Sequence, residues 1–297
     1  MLVGIDSYSF HRYFGEIYDG GLQVDPGTRW DMLGDFVPYA VGLEVDEVAL
    51  ETIFYPVMDD GYCADLKAAL DAAGLKRVIG WGHPDGLHTG KDETAFADMI
   101  RHIPRAEKVG AQIMRIVAGS MLYVHDDHAE MVKRSIAMLK RGIEVAEDHG
   151  VTLALENHID FTSEEIVQIL EGVGSEHLKV NFDTGNSLRL FEDPVQAARN
   201  VAPYCVATHT KDIVLRRFGP PEERFTSWPS APAGEGLIDL LAIARVLDEA
   251  GFEGSLAIEM DLIAEPWVSL PEEENVRKGV EYLKGIRRQL EAEKGRA

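Results

Sequence analysis

Val151-Thr-Leu-Ala-Leu-Glu156 and Leu178-Lys-Val-Asn-Phe-Asp183 decide the reading of this chain: each is a short apolar run that ends on a carboxylate. Tyr204-Cys-Val-Ala-Thr-His209 and Ser255-Leu-Ala-Ile-Glu259 repeat the arrangement with an imidazole and a third carboxylate. The terminal residues lie 27, 26 and 50 positions apart, and a helical pattern fills each interval. One βα unit takes about thirty residues, so successive parallel strands would bring Glu156, Asp183, His209 and Glu259 to one rim. Three carboxylates and an imidazole converging there describe a divalent-metal site, and mostly oxygen ligands favour a hard or borderline ion.

Outward from that series the same alternation continues. Residues 2–6, the segment ending at Leu50-Glu51, Leu75–Gly80 and Ile113–Val117 read as four earlier strands. Apolar residues at helical spacing run from Asp65 to Ala73 and from Ala129 to His149, each stopping at a glycine, Gly74 and Gly150. Thr162-Ser-Glu-Glu165 has the form of a capping box. Leu237–Ala250 and Glu272–Leu290 supply the last two helices, whereas residues 11–40 are poorly periodic. Strands alternating with helices imply a parallel sheet, and eight of them imply a closed α/β barrel of the (β/α)8 TIM type.

The 297 residues carry no low-complexity tract or linker, so they are read as a single domain, 1–297. At 45% hydrophobic and 27% charged the chain can bury a large core. No apolar run approaches the roughly 18–20 residues that span a bilayer. Met1-Leu-Val-Gly-Ile-Asp6 enters a strand directly and lacks the basic region of a secretion signal, so a cytoplasmic location is expected. Cys63 and Cys205 make no disulfide framework, and Cys205 reads as a small core residue. The formal net charge of −22 repels nucleic acid and anionic membranes, leaving a small molecule as the expected partner, with a homo-oligomer left open.

Leu155-Glu-Asn-His158, Phe182-Asp-Thr-Gly-Asn186, His209-Thr-Lys-Asp212 and Gly234-Glu-Gly-Leu-Ile-Asp239 resemble the sugar-phosphate isomerase/epimerase family. The resemblance spans the chain and implies a xylose isomerase-like TIM barrel. It also implies one divalent ion, Mn2+ first and Mg2+, Co2+ or Zn2+ as alternatives, on Glu156, Asp183, His209 and Glu259. As in ketose 3-epimerases, Glu156 and Glu259 would double as the acid/base pair. The chemistry expected from such a set is proton abstraction next to a sugar carbonyl and a metal-stabilised enediolate. Reprotonation gives an isomerase or epimerase. Expulsion of a β-substituent gives the alternative, a lyase or dehydratase on an oxidised sugar or glycoside.

Other candidates surround this set. His158 lies two residues beyond Glu156, on the same side of an extended strand, and is a candidate for substrate contact or proton transfer. Lys211 stands in the same relation to His209 and is either a site residue or a structural ion pair. Asn186 stands where the 3-epimerase pattern carries a substrate-binding His, a departure that keeps the lyase alternative open. The substrate-gripping Arg of that pattern falls at Leu215, with Arg216 and Arg217 beside it; Arg217 is taken as the contact. Glu51 either binds a sugar hydroxyl or makes a salt bridge at the rim.

The two longest interruptions, Trp81–Glu93 and Lys211–Glu235, follow strand ends and are expected to wall the pocket with His83 and Trp228. His11, His102, His125 and His128 read as surface or packing residues. A metal-dependent endonuclease needs a basic DNA-facing surface and more histidines, and a hydrolase needs a nucleophile elbow; the sequence has neither. A barrel that senses a sugar without turning it over remains the non-catalytic alternative.

Overall fold

The computed structural model describes residues 1–18, 23–83, 85–120, 125–218 and 225–295, with only the backbone described at 217–218 and 225–227. The expected barrel is present. Strands β1 (Leu2–Asp6), β2 (Glu47–Glu51), β3 (Lys76–Gly80), β4 (Ile113–Ile116), β5 (Thr152–Glu156), β6 (Leu178–Asp183), β7 (Cys205–His209) and β8 (Ser255–Ile258) follow one another around an eight-stranded sheet. Neighbours are parallel, and β8 returns to pair with β1, Leu2 opposite Ser255. Thr210 bridges Ile258 and donates its N–H to the Ala257 carbonyl at 2.6 Å, which joins β7 to β8 and closes the ring.

Strand alternation sorts the residues between two environments. Val48, Leu50, Ile79, Met114, Leu153, Leu155, Val180 and Phe182 are buried in the main hydrophobic core. Ala49, Val78 and Ala207, on the other face of their strands, form a separate small cluster with Ile113. Further along each of these strands the inward series continues into Glu51, Gly80, Arg115 and His209. Small side chains fill the barrel and polar ones crown it, so the strands read as nearly unbroken apolar runs that end on charge.

Helices α1 (Val37–Gly42), α2 (Asp60–Ala73), α3 (Glu93–Val109), α4 (His128–Asp148), α5 (Ser163–Val173), α6 (Asn186–Arg189), α7 (Pro194–Val201), α8 (Leu240–Glu249) and α9 (Glu272–Lys294) occur in the connections and after β8. The capping box opens α5: Thr162 accepts from the Glu165 N–H, and Glu165 reaches back to the Thr162 N–H. Gly74 ends α2 in the left-handed region at φ 67°, where a side chain would be strained.

Boundaries differ from the periodic pattern where caps decide them. Asp59 accepts from the Tyr62 N–H and starts α2 five residues before Asp65. Asp239 accepts from the Ala242 N–H and starts α8 at Leu240 rather than Leu237. The weak periodicity of residues 11–40 has a counterpart in a five-residue π turn, Met32–Phe36, running into the short α1. Lys211–Glu235 is not simply a loop: Asp212–Ile213 pairs with Ser230–Ala231, and Arg216–Phe218 with Phe225–Ser227, both antiparallel. Among the described residues no helix is long and apolar enough to cross a membrane.

Candidate metal centre

Glu156, Asp183 and His209 are the last residues of β5, β6 and β7, and Glu259 directly follows β8. A register shift between β6 and β7 sets Asp183 opposite His209. Each of the four offers one ligand atom, all lie within 4.8 Å of one another, and all four side chains are buried. Bonds near 2.0–2.6 Å to one central ion fit that spread.

The turn after β6 shapes Asp183 for this position. Its Oδ1 accepts from the N–H groups of Gly185 (2.7 Å) and Asn186 (3.0 Å), while Asn157 bridges the β5 and β6 ends by hydrogen bonds to both backbone groups of Asp183. Oδ2 is left buried without a hydrogen bond, as are His209 Nδ1 and Glu259 Oε2. His209 Nδ1 lies 2.8 Å from Glu259 Oε2 and 3.6 Å from Glu156 Oε2. Buried polar atoms that face one another without a hydrogen bond are what a cation satisfies, so the donor set fits a divalent ion.

The electrostatics agree. Burial works against charge on Glu156, but His209 and Arg115 outweigh it and hold its carboxyl well below the usual range. Glu259 is likewise held down to about 2 by His209 and Lys211 despite burial. Asp183 is pushed up to about 6 by burial, with Lys211 opposing and the two glutamates adding repulsion. Burial disfavours a protonated His209, yet Glu259 and Glu156 raise its proton affinity far above normal. Within the four-residue set three carboxylates face one imidazole, and Arg115 and Lys211 supply the neighbouring positive charge.

Glu156 and Glu259 of the cluster line a cavity of about 910 Å3 together with Tyr8, His83, Arg115, Lys211, Trp228 and Asp261, and Asp183 and His209 lie behind them, outside its lining. A second concavity of about 820 Å3 near the opposite strand ends touches Glu47 and Cys205 but none of the four. His158 lines the main cavity with Nδ1 unpartnered, and burial lowers its proton affinity, which favours the neutral ring. Lys211 Nζ lies 3.2–3.5 Å from Asp261, Asp183 and Glu259, so its ion pairs belong to the site itself. Asn186 is buried and donates to Glu156 Oε1 at 3.2 Å.

Glu51 makes the salt bridge that the sequence left as one alternative, with Arg115, and also lines the cavity. A Cβ at Gly80 would run into this carboxylate, so that glycine makes room for the pair. His83 stacks on Trp81 at 5.2 Å, and Trp228 meets Phe191 edge-on at 6.4 Å. Arg217 sits in the hairpin strand Arg216–Phe218, and its side chain lies outside the described residues, as does that of Phe225. Of the histidines set aside, His125 has no described role, His11 is buried, and His128 pairs with Glu165.

Four charged groups, Arg115, Arg189, Asp261 and Asp6, were missed from sequence. Arg115 places Nε 3.3 Å from Glu156, Arg189 pairs with Asp261 at 2.9 Å, and Asp6 Oδ2 lies 3.2 Å from His209 Nε2. Two had a visible signal: Arg115 interrupts the apolar run Ile113–Val117, and Asp6 ends its strand as the metal-set acids end theirs. Arg189 had none, because it meets Asp261 only across 72 residues of chain.

A family model described as a xylose isomerase-like TIM barrel matches residues 39–286. Uncharacterized protein YihM of Escherichia coli (strain K12) is 26% identical over 119 residues, 40% of this chain and 31% of that protein, so the match spans about a third of that relative's length. An inosose dehydratase of Clostridium beijerinckii is 25% identical over 248 residues, 74% of this chain and 79% of the relative. The solved D-psicose 3-epimerase of Clostridium cellulolyticum H10, with D-tagatose, superposes with a TM-score of 0.70 at 19% identity, covering 97% of this chain and 98% of the other. At that identity the likeness is one of fold.

Proposed function

This chain belongs to the xylose isomerase-like TIM barrel family, and from that premise we propose that it is a divalent-metal-dependent sugar isomerase or epimerase. The observation that carries the reading is the position of Glu156 and Glu259: both line the cavity and both belong to the four-residue cluster. A divalent ion on Glu156, Asp183, His209 and Glu259, with Mn2+ the first choice, supplies Lewis-acid stabilisation of negative charge on the substrate's oxygens.

The side chains supply the rest. His209, Arg115 and Lys211 keep Glu156 and Glu259 ionised but weakly basic. As carboxylates each can accept a proton from carbon next to a carbonyl only with stabilisation of the resulting negative charge, and two carboxylates permit removal and return on different faces. Asn186 restrains Oε1 of Glu156, leaving the second oxygen towards Arg115 and His209. Lys211 and Arg115 offset the carboxylate charge, which limits repulsion as a substrate oxygen becomes negative. Neutral His158 can donate to or accept from a sugar hydroxyl, and His83, Trp228 and Glu51 wall the space above. Arg217 is proposed as a further contact from the strand beside this wall.

The 25% identity to an inosose dehydratase over most of both chains favours a second reading, elimination from an oxidised cyclic polyol or glycoside after the same proton abstraction. Asn186 supports it too, since the 3-epimerase pattern has a His there. The experiment is incubation of the metal-loaded protein with ketoses, aldoses, inososes and 3-oxo-glycosides in D2O, read by mass spectrometry. Deuterated product of otherwise unchanged mass supports isomerase or epimerase. Loss of water or a fragment without any isomerised sugar overturns it in favour of elimination.

A further inference from the structure

Asp6 is the last residue of β1, fully buried, and serves as cap for the 3-10 turn Ser7–Phe10. Its two oxygens are placed differently. Oδ1 accepts from the Tyr8 N–H at 2.6 Å, which fixes the carboxylate plane, and Oδ2, buried without a hydrogen bond, lies 3.2 Å from His209 Nε2. The other ring nitrogen, Nδ1, faces Glu259 at 2.8 Å and Glu156 at 3.6 Å. The imidazole thus stands between one carboxylate outside the cluster and the carboxylates within it.

A neutral imidazole carries one proton, and a carboxylate only accepts. With the proton on Nε2, the positive edge of the ring faces Asp6 Oδ2 at 3.2 Å and the Nδ1 lone pair faces the cluster. The opposite tautomer sets a lone pair against Asp6 Oδ2 and a proton where a ligand atom is needed. We propose that Asp6 is the positioning residue of the centre: it holds Nε2–H of His209 and leaves Nδ1 as the ligating atom. This rests on the metal-site reading above.

Asp6, Glu51 and His209 also lie close enough together to hold an ion of their own. Arg115 argues against that use, because its guanidinium already sits on Glu51 and supplies the cation. The Asp6 carboxylate is left to serve His209, an arrangement in which a carboxylate typically contributes about 10–100-fold in metal affinity.

Zn2+ is the probe, because it is diamagnetic. Chelator competition gives its affinity, and 15N NMR of the histidine rings, assigned by loss of a signal in His209→Asn, gives the tautomer. Wild type should show a protonated Nε2 and an unprotonated Nδ1 in the zinc-loaded protein. In Asp6→Asn one oxygen keeps the Tyr8 cap, the amide nitrogen faces Nε2, and the tautomer is driven the wrong way, so zinc should bind about 10–100-fold more weakly. Asp6→Ser keeps a good cap without the acceptor and should lose affinity in the same direction, and it carries the comparison if Asp6→Asn does not fold. Zinc bound to wild type with the proton on Nδ1 overturns the proposal. So does wild-type affinity in the folded variants. Wild type that binds no zinc overturns the metal centre and this role together, a result distinct from tight binding by the variants.

Discussion

Arg115 holds Nε 3.3 Å from Glu156 Oε2 while another nitrogen of its guanidinium donates to Glu51, so one buried cation joins the β2 carboxylate to the β5 member of the metal set. Burial disfavours this charge, and Glu51 and Glu156 more than compensate. Removing one member of a buried pair strands the other. Arg115→Leu is expected to lower stability by about 3–5 kcal/mol, and Glu51→Gln with Arg115→Gln should recover part of it. Urea denaturation of the two variants and wild type checks this; equal midpoints for all three would show that the pair is not coupled.

The metal set should divide by chemistry. Glu156→Gln and Glu259→Gln are expected to abolish deuterium exchange even when metal is added in excess, because an amide cannot take the proton. Asp183→Asn and His209→Asn should act mainly through metal affinity and recover activity as metal is raised. Near-normal turnover by Glu156→Gln would make Glu156 a ligand only and move the base to His158. Stripping metal from wild type should lower its melting temperature, and restoring about a hundredfold excess over the dissociation constant should return about 2.7 kcal/mol.

Asp160 sets a pH dependence outside the four. It is fully buried, Oδ1 accepts from the Phe161 N–H, Oδ2 has no partner, and burial pushes its pKa up to about 7. A carboxyl raised in the folded state favours folding fully below its unfolded value, near 4, and loses that contribution as pH rises through 7. Asp160→Asn should therefore gain on wild type by at least about 1 kcal/mol between pH 5 and pH 8. Denaturation midpoints of the metal-loaded proteins at both values measure the gap; a constant gap would refute the assignment.

Both cysteines should be inert in the native state. Cys63 and Cys205 are free and buried, and burial pushes the Cys205 thiol up to about 12. A thiol reagent at neutral pH should label neither until denaturant is added, and then both. Rapid native labelling of Cys205 would contradict its position at the start of β7.

What the sequence determined by itself is the backbone plan. Short apolar runs, each ending on a side chain able to bind metal, were enough to place Glu156, Asp183, His209 and Glu259 on consecutive strand ends. The Thr162–Glu165 capping box and Gly74 were legible for the same reason: strand alternation and helix capping act over a few residues, and so leave a local trace. The starts of α2 and α8 were shifted, since Asp59 and Asp239 are two acids among the many in an acidic chain.

The tertiary structure alone decided which charges meet. Asn186, at the position where the 3-epimerase pattern has a substrate-binding His, is buried and donates to Glu156; Arg115 was passed over inside a strand, yet it joins two carboxylates of one rim. Lys211 stood open between site residue and ion pair, and it makes ion pairs with Asp183, Glu259 and Asp261. Asp6 and His209 are separated by almost the whole barrel in sequence and by 3.2 Å in space. Ring closure makes them neighbours, because only β8 stands between β7 and β1 around the ring, and no local pattern in the chain encodes that closure.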